Sequence, residues 1–303
     1  MPMAERRDTH ASGLRERTVQ ITLDGTPAWG QRAGDAIVLE DGRKIPENEA
    51  VYLAPVRPSK ILAVHLSYRS RVDEYSARTP PNPSFFMKPP TTLAGHRGEI
   101  RRPRGTRFLN YEGELAVVIG RRMKGVPIDE ALGFVGGYTS ANDVGLHDFR
   151  HADRGSMLRV KGQDGFLPMG PELIPAKEFD PTDFTLRTLL NGEVVQEATA
   201  EDLIWSVAYQ LADLSRMITL EPGDVVLTGT PANSRPMNPG DVVEVEVSGL
   251  GRVQSTVVDW DVDLTEAGEL PAVSGNTLHV ALAIPEDQAE RMAQDQLAAR
   301  TEK

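Results

Sequence analysis

The 303-residue chain contains no cysteine, which excludes disulfides, thiolate metal sites and a cysteine nucleophile. It also lacks an apolar run that approaches the ~20 residues needed to span a bilayer. The polar N-terminal stretch, residues 1–17, contains none of the apolar core of a signal peptide. These absences predict a soluble, cytoplasmic protein with no membrane partner.

Positive charge is also scarce, because 33 lysines and arginines stand against 44 aspartates and glutamates, and the formal net charge is −11. Nucleic acids and anionic membranes select for clustered positive charge, so neither is expected as a partner. One basic cluster runs from Arg97 to Arg107, where proline and glycine interrupt it. It is either a surface loop or a positive rim that attracts an anionic substrate.

What the chain does contain is a strand-rich pattern that divides into three parts. Residues 1–57 predict a small N-terminal β-rich domain, with hairpins closed by Asp-Gly turns after a polar, mobile start at residues 1–16. Residues 58–260 form the main body. Residues 261–303 are a polar C-terminal extension, in which 280–303 predict an appended helix or a loose tail outside the core.

Within the main body, short apolar strands outnumber helices. Strands are predicted at 59–67, at 115–119, before Asn142, on both sides of the Asn191-Gly192 turn, after each of two Pro-Gly-Asp turns, and at 252–258. Helices are predicted at 129–133 and 201–217. A segment with five prolines between Pro80 and Pro90 is expected to be an irregular loop. The fold class is therefore α+β.

Two glutamates stand at the mouth of one buried strand. Glu112 and Glu114 flank the start of the apolar run 115–119, and alternate residues of a strand share a face. Paired carboxylates persist there either as an ordinary solvated strand end or around a cation. Asp143, at the end of the next strand, is the best candidate for a third oxygen ligand. An open octahedral site of this kind would suit a hard divalent cation.

Other candidate residues remain open to two interpretations. Lys161 is either a surface lysine or a buried amine that has a depressed pKa or binds a substrate carboxylate. His147 and His151 have a spacing that can line a helix face with metal ligands, although capping or surface positions are favoured. Thr230 lies in a Gly-Thr-Pro turn after a strand, where backbone N–H groups can form an anion-binding nest.

Six segments, in order, resemble the fumarylacetoacetate hydrolase family over about two thirds of the chain: YEGELAVVIG, YTSANDVGLHDFR, SMLRVKGQDGFLPMGP, NGEVVQ, PGDVVLTGTPAN and PGDVVEVEVSGLG. The resemblance implies a fold of mixed β-sheets with a β-roll, and a homodimer. It implies Mg²⁺ (or Mn²⁺ or Ca²⁺) held by Glu112, Glu114 and Asp143. It also places Lys161 in the active site and Thr230 against the substrate.

The chain departs from the family pattern at a position that bears on the reaction. Hydrolases and some decarboxylases of the family carry a histidine and a glutamate that activate water, in a pattern like NYxxHxxE. The matching segment here, SYRSRVDE, keeps the glutamate as Glu74 but has Arg71 in place of the histidine. A guanidinium cannot act as a general base, so simple C–C hydrolysis is disfavoured. Arg69 and Arg71 are instead suited to binding carboxylates.

A second departure indicates one branch of the family. The segment GLHDFR places His147 and Arg150 where many members carry an arginine and a glutamine. Together with GSMLRVKG, it most resembles the homoprotocatechuate-pathway members, which are 2-hydroxyhepta-2,4-diene-1,7-dioate isomerases and 5-oxopent-3-ene-1,2,5-tricarboxylate decarboxylases. Their di- or tricarboxylate substrates would explain the additional arginines.

We therefore expect a divalent-metal-dependent enzyme of aromatic-compound breakdown. It would isomerise and/or decarboxylate unsaturated 2-oxo or 2-hydroxy-diene di- or tricarboxylates through a metal-bound enolate. The candidate catalytic residues are Lys161, Glu74 and His147. The candidate substrate-binding residues are Arg69, Arg71, Arg150 and Thr230.

Two other classes of function remain as alternatives. One is a different enzyme of the same fold: a C–C hydrolase of acylpyruvates or of fumarylpyruvate- or fumarylacetoacetate-like substrates, an oxaloacetate decarboxylase or a 2-keto-acid hydratase. The other is a non-catalytic binding protein. Acids at all three metal positions, together with Lys161, disfavour the second class.

Overall fold

The structure, a computed structural model, describes residues 14–153, 155–262, 264 and 268–301, with the side chains of 297–301 outside that description. Most of the polar start predicted at residues 1–16 also lies outside the described residues. Among the described residues, none of the helices combines the length and apolar character required of a membrane span.

The N-terminal part forms a five-stranded antiparallel sheet in the order β4-β3-β2-β1-β5. Its strands are β1 (Val19–Leu23), β2 (Thr26–Ala33), β3 (Ala36–Leu39), β4 (Lys44–Pro46) and β5 (Val51–Leu53). Asp24 and Gly25 both have positive φ angles, as the predicted Asp-Gly hairpin requires. The sheet has its own apolar cluster around Ile21, Ile37 and Tyr52. The hairpin-rich unit is thus present, while the domain boundary at residue 57 stays a prediction.

Fourteen further strands follow in the described residues. They are β6 (Ile61–His65), β7 (Ser84–Lys88), β8 (Leu93–Ala94), β9 (Gly98–Pro103), β10 (Leu109–Asn110), β11 (Gly113–Ile119), β12 (Val135–Asn142), β13 (Gly145–Leu146), β14 (Leu167–Pro175), β15 (Thr185–Leu190), β16 (Glu193–Thr199), β17 (Val225–Leu227), β18 (Val242–Val247) and β19 (Gly251–Trp260). They form a seven-stranded mixed sheet, β7-β6-β17-β11-β12-β14-β8, a five-stranded mixed sheet, β16-β15-β18-β19-β9, and the pair β10-β13.

Strand β11 is central to the seven-stranded sheet and is buried along its whole length. Leu115, Val117 and Ile119 face one apolar cluster, whereas Ala116 and Val118 face another. A strand covered on both faces reads as a continuous apolar run, which is why its sequence does not alternate. One of its faces lies against the five-stranded sheet, since β11, β12 and β14 contact β15, β18 and β19.

Seven α-helices occur in the described residues. They are α1 (Arg69–Glu74), α2 (Ile128–Ala131), α3 (Arg150–Asp153), α4 (Leu158–Lys161), α5 (Val207–Met217), α6 (Gly275–Leu282) and α7 (Glu286–Thr301). The helix predicted at 201–217 begins only at Val207, where the Ser206 hydroxyl accepts a hydrogen bond from Tyr209 N and caps it. Its buried leucines, Leu211 and Leu214, belong to the apolar cluster on the face of β11 that carries Leu115. The strand-rich α+β class is confirmed.

The proline-rich segment differs from the prediction. Ser84–Lys88 is not an irregular loop but strand β7, which pairs antiparallel with β6 at the edge of the seven-stranded sheet. Prolines flank the strand without interrupting it, and an edge strand tolerates neighbours that donate no hydrogen bond. The basic cluster also contains a strand, because 98–103 form β9 at the edge of the other sheet.

The C-terminal helices also differ from the prediction. Residues 280–303 were expected to form an appended helix or a loose tail outside the core. A helix is present as α7, but α6 and α7 pack on Phe108 through Leu278, Ala281 and Ala289, all of which are buried. The polar composition that indicated a loose tail belongs to the exposed faces of α7. This segment is therefore an integral wall of the molecule.

Four strand termini meet where the central strands of the seven-stranded sheet end. Strand β11 runs antiparallel to both β12 and β17, while β17 runs parallel to β6. The beginning of β11 therefore lies beside the ends of β12, β17 and β6. Residues that precede β11 or follow the other three strands come together there, although they are far apart in the sequence.

Candidate active site

The glutamate pair lies among these strand termini, where β11 begins. Glu112 precedes the strand and Glu114 is its second residue. Gly113 between them pairs with Asn142 of β12, and a side chain at this position would approach Thr188 Oγ1 within 2.1 Å. Glycine therefore lets the two sheets approach each other at the point where the glutamates turn towards the same space.

Asp143 joins the glutamates because it directly follows β12. Its backbone N–H donates to Glu112 O (2.8 Å), and Asn142 Oδ1 accepts from Glu112 N (2.9 Å). One carboxylate oxygen from each of Glu112, Glu114 and Asp143 lies within 4.8 Å of the others. All three side chains are buried, so the solvated strand end is excluded as an interpretation.

The buried carboxylates strongly favour a bound cation. Burial, together with the negative charges of Asp143 and Glu112, raises the pKa of Glu114 well above its ordinary value. Glu114 accepts one hydrogen bond, from Gly229 N (2.6 Å), and within the described residues no cationic side chain forms an ion pair with it. Three hard oxygen donors, of which Glu114 has no ion-pair partner in the described part of the chain, fit Mg²⁺, Mn²⁺ or Ca²⁺.

Two buried lysines complete the carboxylate cluster. Lys161 Nζ lies 2.8 Å from Glu112 Oε2 and 3.0 Å from Asp143 Oδ2, and it donates to Asp143 O at 2.7 Å. Burial disfavours its charge, but Asp143 and Glu112 outweigh burial, and the pKa of Lys161 lies above its ordinary value. The expectation of a surface lysine or a depressed pKa is therefore wrong. Lys88, which sequence analysis missed, pairs with Asp143 and donates to Phe166 O (3.1 Å).

The helix that follows β6 presents Arg71 to the cluster. Arg71 is buried, with Nη2 3.5 Å from Glu112 Oε1 and Nη1 2.7 Å from Glu74 Oε2, and its guanidinium lies 4.5 Å from the centre of the Tyr75 ring. Arg69, on the same helix, is exposed and does not line the cavity described below. The structure therefore brings Arg71 but not Arg69 to the site.

Glu74 lies in the cavity wall, and both of its oxygens are already engaged. Oε2 pairs with Arg71, while Oε1 pairs with Arg235 (2.7 Å) and accepts from Asn233 N (3.0 Å). Both carboxylate oxygens of Glu74 are therefore occupied by donors from the protein itself. These contacts disfavour the predicted acid/base role and instead indicate that Glu74 fixes the position of Arg71.

Two histidines in the cavity wall are neutral. His147 is buried, neither ring nitrogen has a hydrogen-bond partner among the described residues, and burial lowers its pKa well below the ordinary value. The surface or capping position favoured for it is therefore wrong. His65, at the end of β6, was missed, and burial lowers its pKa to about 4. His151 instead lies 3.1 Å from Glu269 and is not a cavity residue.

Thr230 follows β17 and reaches the cavity from the Gly-Thr-Pro turn. The buried Gln196 of β16, another residue without a predicted role, holds this turn by donating to Thr230 Oγ1 (3.1 Å), Pro231 O (2.9 Å) and Ala232 O (3.0 Å). Gln196 stands at the end of the NGEVVQ motif, which is the signal that could have identified it.

The site opens onto a cavity of about 880 Å³, large enough for a small organic acid. Its walls include the three carboxylates, Lys161, Arg71, Arg150, Glu74, Thr230 and both histidines. Residues of α6 and of the turn before α7, among them Asn276 and His279, also line it, and neither was predicted. None of the residues from Arg97 to Arg107 does, so the basic cluster is not a rim of this cavity.

Three solved or curated relatives resemble the chain closely. The 4-hydroxyphenylacetate degradation bifunctional isomerase/decarboxylase of Escherichia coli is 37% identical over 219 residues, which are 72% of this chain and 51% of that protein, so the match spans about half its length. A 5-carboxymethyl-2-hydroxymuconate delta-isomerase structure from Mycobacterium smegmatis is 35% identical, with a TM-score of 0.72 over 81% of this chain and 100% of that one. A 2-hydroxyhepta-2,4-diene-1,7-dioate isomerase structure from Mycobacterium marinum is 34% identical, with a TM-score of 0.70 over 81% and 99%.

The family model for the fumarylacetoacetate (FAA) hydrolase C-terminal domain matches residues 60–258, close to the 58–260 expected from the motifs. The predicted resemblance to this family, including its isomerase/decarboxylase members, is confirmed by these matches. The chain belongs to the fumarylacetoacetate hydrolase family.

Proposed function

We propose that the protein is a divalent-cation-dependent enzyme of aromatic-compound breakdown in the cytoplasm. It isomerises and/or decarboxylates unsaturated 2-oxo (or 2-hydroxy-diene) di- or tricarboxylates. The names of its isomerase/decarboxylase relatives support this substrate class. Two arginines of the cavity wall support it independently, because the guanidinium groups of Arg71 and Arg150 can bind carboxylates.

Glu112, Glu114 and Asp143 would hold the cation, Mg²⁺ or else Mn²⁺ or Ca²⁺. When bound, it supplies Lewis-acid stabilisation of negative charge on a substrate oxygen. Lys161 keeps Glu112 and Asp143 oriented, because its ammonium group contacts three of their oxygens. Arg71 and Thr230 bind the acid group of the substrate from the opposite chain segments, α1 and the turn after β17.

The observation that carries the proposal is the pairing of Arg71 with Glu74. Arg71 replaces the histidine of a water-activating pair, and Glu74 has both oxygens engaged. A guanidinium does not act as a general base and the Glu74 oxygens already accept from other donors, so proton movement at carbon or loss of CO₂ is favoured over hydrolysis. His147, neutral and with two unpartnered ring nitrogens, is the proposed group that moves the proton.

The test follows the ultraviolet spectra of a panel of unsaturated 2-oxo dicarboxylates and tricarboxylates with enzyme and Mg²⁺, with CO₂ release measured alongside. Spectral change without CO₂ identifies an isomerase, and spectral change with CO₂ a decarboxylase. No turnover of any member, with or without added divalent cation, would leave the chain a binding protein and overturn the proposal.

The metal site is tested separately with Glu114→Gln, which removes the charge but keeps the shape. We expect loss of the bound cation and at least about a hundredfold loss of turnover. That is about the loss seen when one group that stabilises charge in the transition state is removed. The control is Glu99→Gln, at an exposed glutamate of β9. Elemental analysis of purified protein measures the cation, and a metal-free Glu114→Gln enzyme with full activity would contradict the assignment.

Hydrolysis of an acylpyruvate is the second candidate. The observation in its favour is that His147 and His65 are neutral imidazoles in the cavity wall, and such groups can activate water. Adding acylpyruvates to the same panel, with product analysis by chromatography, separates the two candidates. We also propose, from the family resemblance, that the protein is a homodimer, which light scattering coupled to gel filtration measures directly.

A further inference from the structure

The C-terminal helices form a part of the cavity that the family match does not cover. That match ends at residue 258, whereas the residues that line the cavity include Asn276, His279 and Val280 of α6 and Ile284 of the turn before α7. The catalytic carboxylates and this wall therefore belong to different parts of the chain. The wall is a feature through which this chain can differ from relatives that share its metal site.

The wall is attached at defined points. Tyr75, which follows α1, donates its hydroxyl hydrogen to Val280 O (3.1 Å), and Asn110 Nδ2 donates to Ala281 O (2.9 Å). Leu278 and Ala281 are buried against Phe108. Helix α6 is therefore held at a fixed position over the cavity by hydrogen bonds and apolar contacts.

Asn276 contacts the arginine that has no carboxylate of its own. Arg150 Nε donates to Asn276 Oδ1 at 2.9 Å, and Nη1 makes a long contact of 3.8 Å to Met157 Sδ. No ion pair involves Arg150 among the described residues, and burial lowers the pKa of its guanidinium. A half-buried guanidinium without an ion-pair partner favours an anionic ligand.

His279 supports the second arginine through Tyr75. Its Nδ1 lies 2.7 Å from Ile284 O, a carbonyl, so Nδ1 carries the hydrogen and Nε2 is left for other contacts. The ring centres of His279 and Tyr75 are 5.4 Å apart, and Tyr75 lies under the guanidinium of Arg71. Helix α6 thus contacts Arg150 directly through Asn276, and Arg71 indirectly through His279 and Tyr75.

We propose that α6 is the specificity wall of the active site: Asn276 orients Arg150, and His279 supports Tyr75 and Arg71, so that the site selects 2-oxo acids with a second carboxylate. Asn276 is a positioning residue in this proposal, and Arg150 is the group that binds the distal carboxylate. The inference rests on the proposed function, because it assumes that the 2-oxo acid end of the ligand binds at the cation.

The experiment compares two ligands of equal chain length by calorimetry on the full chain with Mg²⁺. They are 2-oxoadipate, which has a second carboxylate, and 2-oxohexanoate, which does not. We expect the wild type to prefer the dicarboxylate by about tenfold or more, as for a charge-assisted hydrogen bond. Arg150→Gln should abolish the preference, and Asn276→Ala should reduce it at least threefold.

The double variant Asn276→Ala/Arg150→Gln tests whether Asn276 acts through Arg150. If it does, the double variant matches Arg150→Gln alone, because the group that Asn276 orients is already absent. The control is Gln288→Ala, an exposed residue of α7 that does not line the cavity, and it should keep the full preference. Independent, multiplying effects of the two substitutions would overturn the positioning role.

Asn276→Asp provides a readout that a purely structural contact would not give. The aspartate keeps an oxygen that accepts from Arg150 Nε but supplies the missing negative charge. We expect the thermal midpoint to rise while the preference for 2-oxoadipate falls. An unchanged preference would overturn the proposal. If both ligands bind in a Mg²⁺-dependent manner but equally well, only this inference fails; if neither binds with Mg²⁺, the proposed function fails with it.

Discussion

Glu74 shows how strongly the role of a side chain depends on its partners. By sequence it is the surviving half of a water-activating pair, yet its two oxygens are engaged by Arg71, Arg235 and a backbone N–H. Lys161 shows the same dependence, because neighbouring carboxylates and not burial decide the direction of its pKa shift. Residue type limits the chemistry, and the neighbours select from it.

Gln196 carries a prediction at this scale. Its amide oxygen accepts from Gly113 N and Thr188 Oγ1, and its amide nitrogen donates to three oxygens of the turn that holds Thr230. Gln196→Ala leaves several buried polar groups unpaired, so we expect the free energy of unfolding to fall by about 3 kcal/mol. Urea denaturation measures this change.

The control for that prediction is Gln163→Ala, because the side-chain amide of Gln163 donates one exposed hydrogen bond, to Arg159 O. It should cost well under 1 kcal/mol. If both alanine variants lose the same stability, Gln196 does not hold the turn as described.

At the scale of elements, the strands marked by local sequence signals were predicted correctly, whereas features that depend on long-range pairing were not. The Asn191-Gly192 hairpin, the strand ending at Asn142 and the strands after the Pro-Gly-Asp turns all occur, because turn chemistry and apolar runs are local signals. Strand β7 was missed because its prolines indicated a loop, although its pairing with β6 is a long-range property. Lys88 was missed with it.

The short strand β13 leads to a second prediction. Gly145 begins it, and a Cβ there would lie 3.1 Å from Lys161 Cε and 3.2 Å from Nζ. Lys161 cannot retreat without loosening its contacts to Glu112 and Asp143. We therefore expect Gly145→Ala to lower kcat/KM on the order of tenfold, as a misplaced group does, with little change in thermal midpoint.

Gly133→Ala is the matched control, since the nearest atom to its Cβ would be Arg121 Nη2, at an ordinary 3.6 Å. Steady-state kinetics and thermal unfolding of the two variants decide the point. Equal activity of Gly145→Ala and wild type would show that the close approach to Lys161 has no functional weight.

At the scale of the whole molecule, the N-terminal sheet and the main body meet at His96, and this contact makes stability depend on pH. The His96 ring stacks edge-on against Tyr52 of β5 (4.9 Å between centres), and its Nδ1 accepts from Gln254 N of β19 (3.2 Å). Burial, aided by Arg97 and Arg32, lowers the pKa of His96 to about 4. The folded protein therefore keeps it neutral where an unfolded chain is protonated.

Because the pKa of His96 is lowered in the folded state, keeping the ring neutral costs no stability above about pH 7. The folded protein loses stability as the pH falls from about 6.5 towards 4. We expect His96 to account for about 1–2 kcal/mol of lost stability at pH 5, allowing for its partial exposure. His96→Asn keeps an acceptor but cannot be protonated. Urea denaturation at pH 7.5 and pH 5 should show a smaller loss for the variant, and identical losses would contradict the assignment.

The sequence by itself determined the strand-rich class, the family and the identity of the three carboxylates. These follow from local patterns: apolar runs, turn dipeptides and motifs whose spacing survives in one dimension. The tertiary structure alone decided which residues share the cavity. That depends on the termini of four central strands meeting at one place and on the C-terminal helix α6 folding back against the cavity. Burial and charge pairing are likewise set only when distant segments meet, and they determine the contacts of Glu74 and the directions of the pKa shifts of Lys161 and His147.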